Sequence, residues 1–198
     1  WSDLMAEEIK RKAVVDKWKK KKSYLLFAPK MFGSGQFGET VAAKPELVIG
    51  RCVVVNMGSL TNQMKNKGTD LMLRVEKVEG SNAYTELVGF EGKKGYLRRM
   101  FRRKSSKIEP IQFLTTKDGK KIKIKTVVVT VGKRDVSKRK AIRKELEEFV
   151  KTIVAENNCD KLVELLLEKS LFDPLMKKIR KIVPILKAEV ELVKVVSK

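Results

Sequence analysis

The ten residues from Arg98 to Lys107 carry six positive charges and no carboxylate, and the first acid after them is Glu109. The planar guanidinium of arginine binds phosphate through two parallel hydrogen bonds, so a cluster of this kind suits phosphate contact. A solvated charged surface is the alternative interpretation, but interspersed acids would then be expected to limit the repulsion between the cations. The pattern therefore favours contact with the phosphates of a polyanion.

Three other segments are also basic. Eight positive charges lie in the thirteen positions from Lys10 to Lys22, which is typical of an arm that orders on a polyanion. In residues 121–125 the lysines alternate with Ile122 and Ile124, which predicts a strand with one apolar and one basic face. Positive charge also crowds the helix start at residues 138–144, where it opposes the helix dipole and an external anion would relieve it.

Side chains suited to catalysis or metal binding are scarce. The chain has no histidine, which removes the usual general base of serine and cysteine hydrolases and a common zinc ligand. Its two cysteines, Cys52 and Cys159, are far apart in sequence and form no CxxC pair. The carboxylates of Glu145, Glu147 and Glu148 fall beside lysines on the outer face of a predicted helix, where solvation explains them. We therefore expect no enzyme activity, no metal and no cofactor.

One glycine-rich segment, residues 33–38, superficially matches the GxGxxG fingerprint of dinucleotide-binding proteins. That fingerprint requires a hydrophobic strand leading into it and an amphipathic helix after it. Residues 39–45 have the composition of a loop instead. We expect a flexible loop here and no nucleotide site.

The composition indicates a folded protein with a polyanionic partner. The 198 residues are 42% hydrophobic, enough for one medium domain, and carry a formal net charge of +21. Self-repulsion of this size is tolerated most easily when a polyanion neutralises it. A membrane partner is disfavoured, because we find no apolar run of transmembrane length, no signal peptide and no lipidation signal. The sparse cysteines fit a reducing compartment.

The residue patterns predict an α+β fold in one globular domain, residues 23–198, preceded by a basic N-terminal arm, residues 1–22. Strand signals occupy residues 47–131, helical periodicity occupies residues 137–183, and a final strand is predicted over residues 185–196. Trp18 lies among the lysines of the arm, where its indole could stack on a base or pack against the domain.

Turn sequences locate two hairpins in the strand region. One runs over residues 71–90 about Gly80-Ser81-Asn82, and the other runs over residues 111–131 about Lys117-Asp118-Gly119. Between the hairpins, Leu97, Met100 and Phe101 have helical spacing. We expect them to anchor a short helix whose arginines point outward.

Seven segments along the chain form a recognisable set of motifs: YLLFAPKMF (24–32), FGET (37–40), IGR (49–51), NAYTE (82–86), YLRRMFRRKSSKI (96–108), TTKDG (115–119) and KAIRK (140–144). Together they resemble one known family, the archaeal and eukaryotic small-subunit ribosomal protein called "S three a", also known as eukaryotic-type "S one". The resemblance extends in order from about Lys10 to about Ile185. Residues 89–95 depart from the family pattern, and the long C-terminal extension of many eukaryotic members is absent.

This resemblance implies an antiparallel β-barrel or sandwich core flanked by C-terminal helices. It also implies a place on the platform of the small ribosomal subunit, near the mRNA exit and the 3′ end of the rRNA. The implied partners are small-subunit rRNA, neighbouring platform proteins and mRNA near the exit channel, with one copy per subunit and a part in assembly. The implied location is the cytoplasmic ribosome, with the nucleolus during assembly if the source is eukaryotic.

The leading hypothesis is a structural ribosomal protein whose cations clamp separate rRNA segments by shape, since no aromatic signature of sequence-specific RNA reading is present. The rival is a free RNA-binding regulator or chaperone acting off the ribosome, and an enzyme comes third. The predicted RNA-binding residues are Lys17, Lys19, Lys20, Lys21, Lys22, Lys30, Arg51, Arg98, Arg99, Arg102, Arg103, Lys104, Lys107, Lys117, Lys121, Lys123, Lys138, Arg139 and Lys140.

Overall fold

The computed structural model describes residues 18–101, 103–167 and 169–197, so Lys17, Arg102 and most of the expected arm lie outside the described residues. The strands are β1 (Lys22–Phe27), β2 (Gln36–Ala42), β3 (Cys52–Asn56), β4 (Thr69–Glu79), β5 (Asn82–Gly92), β6 (Lys107–Ile108), β7 (Ile111–Thr115), β8 (Lys121–Thr130) and β9 (Ile185–Ser197). The α-helices are α1 (Met57–Thr61), α2 (Lys94–Met100), α3 (Val136–Glu156), α4 (Cys159–Leu167) and α5 (Asp173–Arg180).

The described strands form one branched sheet. Its centre is the order β4-β5-β9-β8, all antiparallel, with β3 on the outer edge of β4 and β6 and β7 on the outer edge of β8. The first residues of β5 pair in parallel with β1, which carries β2. Within the described residues the sheet does not close into the expected barrel, and the β1–β5 pair departs from an all-antiparallel pattern. The α+β class with C-terminal helices is confirmed.

Both predicted hairpins are confirmed. β4 and β5 turn at Gly80, and β7 and β8 turn at Gly119, each with the positive φ that glycine adopts without strain. In β8 the alternation places Ile122 and Ile124 inside, at 0% and 1% exposure, while Lys121 points outward.

The helices bury one face of the sheet. Val150 and Val154 of α3 pack with Leu162 of α4 against a core that includes Ile122 and Val193. A second core joins Ile142 and Leu146 of α3 to Val128 of β8 and to the buried side of α5. This stripe on α3 follows the helical period recognised in the sequence. The opposite face of the β8 and β9 strands is covered only near one end, by α2.

The structure corrects several boundaries. The strand expected from Leu47 begins at Cys52, because the preceding residues form a turn in which Gly50 has a φ of +82°. β1 and β2 precede the strand region expected from the sequence. The loop expected over residues 33–45 is wrong in part, because residues 36–42 form β2, and the expected absence of a nucleotide site there stays a prediction.

Candidate nucleic-acid interface

Helix α2 presents its arginines because its apolar side is anchored on the sheet. Leu97 and Met100 are buried against Val127 and Val129 of β8. Arg98 and Arg99 fall on the exposed side of the helix. The predicted short helix with outward arginines is therefore present, but it ends at Met100. Phe101, expected as part of the helical anchor, is an extended C-cap residue that packs on the same cluster and is only partly buried.

A polar triad also fixes α2 to β9. The Tyr96 hydroxyl donates to Glu189 Oε1 at 2.9 Å and accepts from Lys187 Nζ at 2.7 Å. Burial alone would lower the pKa of the Lys187 ammonium, but the hydrogen bonds to Glu189 and Tyr96 raise this pKa above its ordinary value. Lys187 therefore stays charged and serves the fold.

The segment after α2 is tied to the end of β8. The Ser106 amide donates to Thr130 Oγ1 at 3.1 Å, and the Thr130 amide donates to the Ser106 carbonyl at 3.0 Å. The Ser106 hydroxyl accepts from the Arg134 amide at 3.0 Å. These bonds bring the exposed Arg103 and Lys104 close to the chain that enters α3.

The start of α3 adds positive charge at this end of β8, because α3 begins two residues after Arg134, which is hydrogen-bonded to Ser106. Its N-cap is Asp135, whose side chain makes no capping hydrogen bond, and its first turn contains no acid. Residues 136–141 at the start of the helix are exposed. We call the cationic surface formed by α2, the Ser106 segment and the start of α3 the Ser106 end; it comprises Arg98, Arg99, Arg103, Lys104, Lys138, Arg139 and Lys140.

A cleft beside Arg99 extends this surface. It measures about 420 Å³ and is also lined by Met64, Lys67, Lys93 and Tyr96. Lys93 is paired with Asp70 at 3.5 Å, but Lys67 and Arg99 have no such partner among the described residues and leave the cleft with a net positive charge. The sequence did not predict Lys67 and Lys93 as candidate RNA-binding residues. The cleft is formed by a loop before β4 and by residues around α2, and no local sequence pattern indicates that these two segments lie together.

The predicted RNA-binding residues of the β7–β8 hairpin lie far from the Ser106 end. Lys117, Lys121 and Lys123 belong to the β7–β8 hairpin, and the length of β8 separates Lys121 from Thr130 by about 30 Å at 3.3 Å per residue. Asp118 in this turn accepts a hydrogen bond from the Cys159 amide at 2.9 Å, so the hairpin also supports the start of α4.

Lys107 is placed differently from the arginines near it. It pairs with Glu109, and its ammonium lies 4.4 Å from the centre of the Phe101 ring. Lys125 lies 2.9 Å from Glu109 and 2.8 Å from Glu191. Desolvation lowers the pKa of Lys107, the Glu191 charge raises it and the Lys125 charge lowers it, with a net decrease. We call these four charged residues the Lys125 network.

Arg51 also makes internal contacts. Its Nε donates to the Leu47 carbonyl at 2.8 Å, and one terminal nitrogen donates to Thr40 Oγ1 at 2.8 Å and to the Val41 carbonyl at 3.1 Å. These bonds hold β2 against the turn before β3. The predicted contact of Arg51 with RNA stays a prediction.

The remaining predicted lysines lie near the start of the described chain. Trp18 is 66% exposed with the Lys21 ammonium 3.5 Å from its ring centre, so the indole is not packed into a core. Lys19, Lys20 and Lys22 are exposed, as is Lys30 in the turn between β1 and β2. None of these is brought to the Ser106 end by a contact among the described residues.

In the part of the chain that the structure describes, no three cysteine or carboxylate side chains converge in a way that could hold a metal ion. The described helices also include none with the length and apolar character needed to cross a membrane.

The chain was compared with known proteins. A family model described as the ribosomal S3Ae family matches residues 9–198. The chain belongs to the ribosomal S3Ae family. The S3Ae relative from Archaeoglobus fulgidus, small ribosomal subunit protein eS1, is 34% identical over 195 residues, covering 98% of this chain and 92% of the relative. A protein of the same name from Desulfurococcus amylolyticus is 35% identical, covering 91% of this chain and 85% of the relative. Another from Methanothermobacter thermautotrophicus is 30% identical, covering 91% of this chain and 93% of the relative.

The family expected from the sequence motifs is therefore confirmed. An S3Ae protein is a structural protein of the small ribosomal subunit that acts in translation, and it is not an enzyme. As a small-subunit ribosomal protein, the chain has rRNA among its partners, which is a polyanion of the kind that its net charge predicts.

Proposed function

We propose that this chain binds rRNA on the platform of the small subunit, near the mRNA exit and the rRNA 3′ end, and that it supports subunit assembly. The same proposal includes incorporation of one copy per subunit and contacts with neighbouring platform proteins and with mRNA near the exit. It also includes a location in the cytoplasmic ribosome. If the source is eukaryotic, assembly takes place in the nucleolus. The motif resemblance and the names of the relatives support it.

One observation carries the choice of contact surface. Among the described residues, none of the seven cations of the Ser106 end forms an ion pair with a carboxylate, although all are exposed. Unneutralised like charges on one surface repel one another, and phosphates relieve that repulsion. If about six of them meet phosphates, the logarithm of affinity falls with the logarithm of salt concentration at a slope of about −4 to −5.

The other predicted cations have secondary parts in this proposal. The basic arm, residues 1–22, and the hairpin lysines Lys117, Lys121 and Lys123 contact separate rRNA segments, while Lys30 and Arg51 contribute near β1 and β2. Since about 30 Å of β8 separates the hairpin from the Ser106 end, the domain, residues 23–198, bridges distant phosphates.

Incorporation into particles tests the proposal. Replacing Arg98, Arg99 and Arg103 by glutamine is expected to reduce co-sedimentation with small subunits. A matched control replaces Lys151, Lys161 and Lys177 by glutamine. These substitutions remove the same charge from exposed helix positions that lie three or four residues from an acid. Equal incorporation of the two variants would count against the Ser106 end as the contact.

A high-salt wash separates the structural role from the rival, a free RNA-binding regulator or chaperone. We expect the wild-type protein to remain on washed small subunits in stoichiometric amounts. A transient regulator would be stripped by the same wash, because its phosphate contacts would be screened and no assembled neighbours would retain it.

A further inference from the structure

Three neighbouring strands place an aromatic ring and two ammonium groups in one row. Phe113 of β7 lies directly opposite Lys123 of β8, and Lys123 lies directly opposite Lys194 of β9. Residues directly opposite each other in adjacent strands project from the same face of the sheet. The three side chains therefore form one continuous surface, which we call the Phe113 row.

This row faces away from the core. Ile122, Ile124 and Val193, which alternate with its members, are fully buried beneath α3 and α4. Phe113 is 68% exposed, and the Lys123 ammonium lies 5.6 Å from the centre of its ring. The row is thus open to a ligand, with positive charge beside an accessible aromatic face.

The arrangement is unfavourable for the isolated protein. Like charges directly opposite each other in a sheet are destabilising, and neither Lys123 nor Lys194 forms an ion pair with a described carboxylate. Exposing a phenylalanine also leaves a large apolar surface in water. A ligand that supplies both a flat aromatic face and negative charge relieves both costs.

We propose that the Phe113 row binds an unpaired RNA nucleotide, with its base stacked on Phe113 and neighbouring phosphates held by Lys123 and Lys194. Every nucleobase has a face that can stack on an aromatic ring, so the site tolerates any sequence. An apolar protein surface fits less well, because it would cover two ammonium groups without pairing them. This inference rests on the proposed function, since it deepens the RNA contact of the same chain.

The site adds a base contact to an interface otherwise built on phosphates. It lies on the β7–β8 hairpin, far along β8 from the Ser106 end. A single exposed ring leaves no recognisable motif in the sequence, so its role emerges only from the strand register that aligns it with lysines from two other strands.

The test uses the full chain and a labelled oligouridylate of about 12 nucleotides, a length that several stacked bases occupy. Phe113→Leu is expected to weaken binding by about 5-fold to 150-fold, the range that loss of one stacked base produces. Phe113→Trp is expected to retain binding, because it restores an aromatic face. Ultraviolet crosslinking should join uracil to residue 113 in the wild-type protein.

Two further sets of variants sharpen the readout. Ile111→Ala removes an exposed apolar side chain two residues away on the same strand, and we expect it to change affinity by less than about 2-fold, a typical effect of a surface substitution. Lys123→Gln and Lys194→Gln should each make the salt dependence shallower by about 0.7, the value for one phosphate contact on a single strand. Thermal melts confirm that each variant is folded.

The outcomes distinguish this inference from the proposed function. Unchanged oligouridylate binding by Phe113→Leu, or equal losses in Phe113→Leu and Ile111→Ala, would overturn stacking while rRNA binding stands. A wild-type protein that binds rRNA and ignores the oligouridylate would also overturn it. If Phe113→Leu bound the oligouridylate like wild type but was no longer retained on small subunits, the row would contact a protein, and the proposed stacking would be overturned. If the wild-type protein failed to bind rRNA at all, both proposals would fall.

Discussion

The Ser106 end and the Lys125 network use the same types of charged side chain in opposite ways. In the Lys125 network, Lys107 and Lys125 are paired with Glu109 and Glu191, and both lysines are partly covered. At the Ser106 end the cations are exposed and have no described carboxylate partner. One group stabilises the fold, whereas the other leaves positive charge available to an external anion.

This difference shows why counting basic residues does not locate an interface. Lys107 belongs to the same basic run as Arg103, but it pairs with an acid two positions later in the sequence. The useful quantity is positive charge that the fold does not neutralise. Substitutions in the two regions should therefore separate effects on stability from effects on RNA binding.

The largest expected effect concerns the anchor beneath the arginines. Leu97→Ala removes a buried side chain that packs on Val127 and Val129, and we expect the free energy of unfolding to fall by about 2–5 kcal/mol. Denaturant melts measure this change. Ile111→Ala, at an exposed position, serves as the control and should stay within about 0.5 kcal/mol. A loss confined to about 0.5 kcal/mol in Leu97→Ala would mean that α2 is not anchored as described.

The next effect tests the Lys125 network. Glu109→Gln leaves Lys107 without its carboxylate and Lys125 with Glu191 alone, so the free energy of unfolding should fall by about 1–3 kcal/mol. The affinity for rRNA should stay equal or increase slightly, since the net positive charge rises. Melts and filter binding on the same preparation measure both quantities. Weaker rRNA binding at unchanged stability would reverse the roles assigned to the two regions.

A smaller effect is expected at Arg51. Its three hydrogen bonds hold β2 against the turn before β3, and Arg51→Gln should lower the free energy of unfolding by about 0.5–1.5 kcal/mol. The salt dependence of rRNA binding should not change if the guanidinium acts only internally. A slope shallower by about 1 would instead support the RNA contact expected from the sequence.

Local patterns predicted much of the fold. The stripe of Ile142, Leu146 and Val150 follows the helical period, and glycine turns located both hairpins, because these signals depend on neighbouring residues. β1 was missed because its apolar residues directly follow a lysine run. The pairing of β5 with β9 joins residues about a hundred positions apart, and no local pattern encodes it.

The candidate interface was predictable to a similar extent. The exposure of Arg98 and Arg99 followed from the helical spacing of Leu97 and Met100, which is again a local signal. By contrast, one of the two carboxylate partners of Lys125 is Glu191, 66 residues away, and the cleft at Lys67 depends on a distant helix. Which cations are neutralised is therefore a property of tertiary packing.

The salt dependence of binding to purified small-subunit rRNA tests the central claim most directly. The claim predicts that a folded variant lacking six cations of the Ser106 end shows a slope shallower than wild type by about 4–5. The control variant lacking Lys151, Lys161 and Lys177 is expected to keep a slope close to wild type. Identical slopes for wild type and the six-fold variant would contradict it. The six substitutions to glutamine are at Arg98, Arg99, Arg103, Lys138, Arg139 and Lys140.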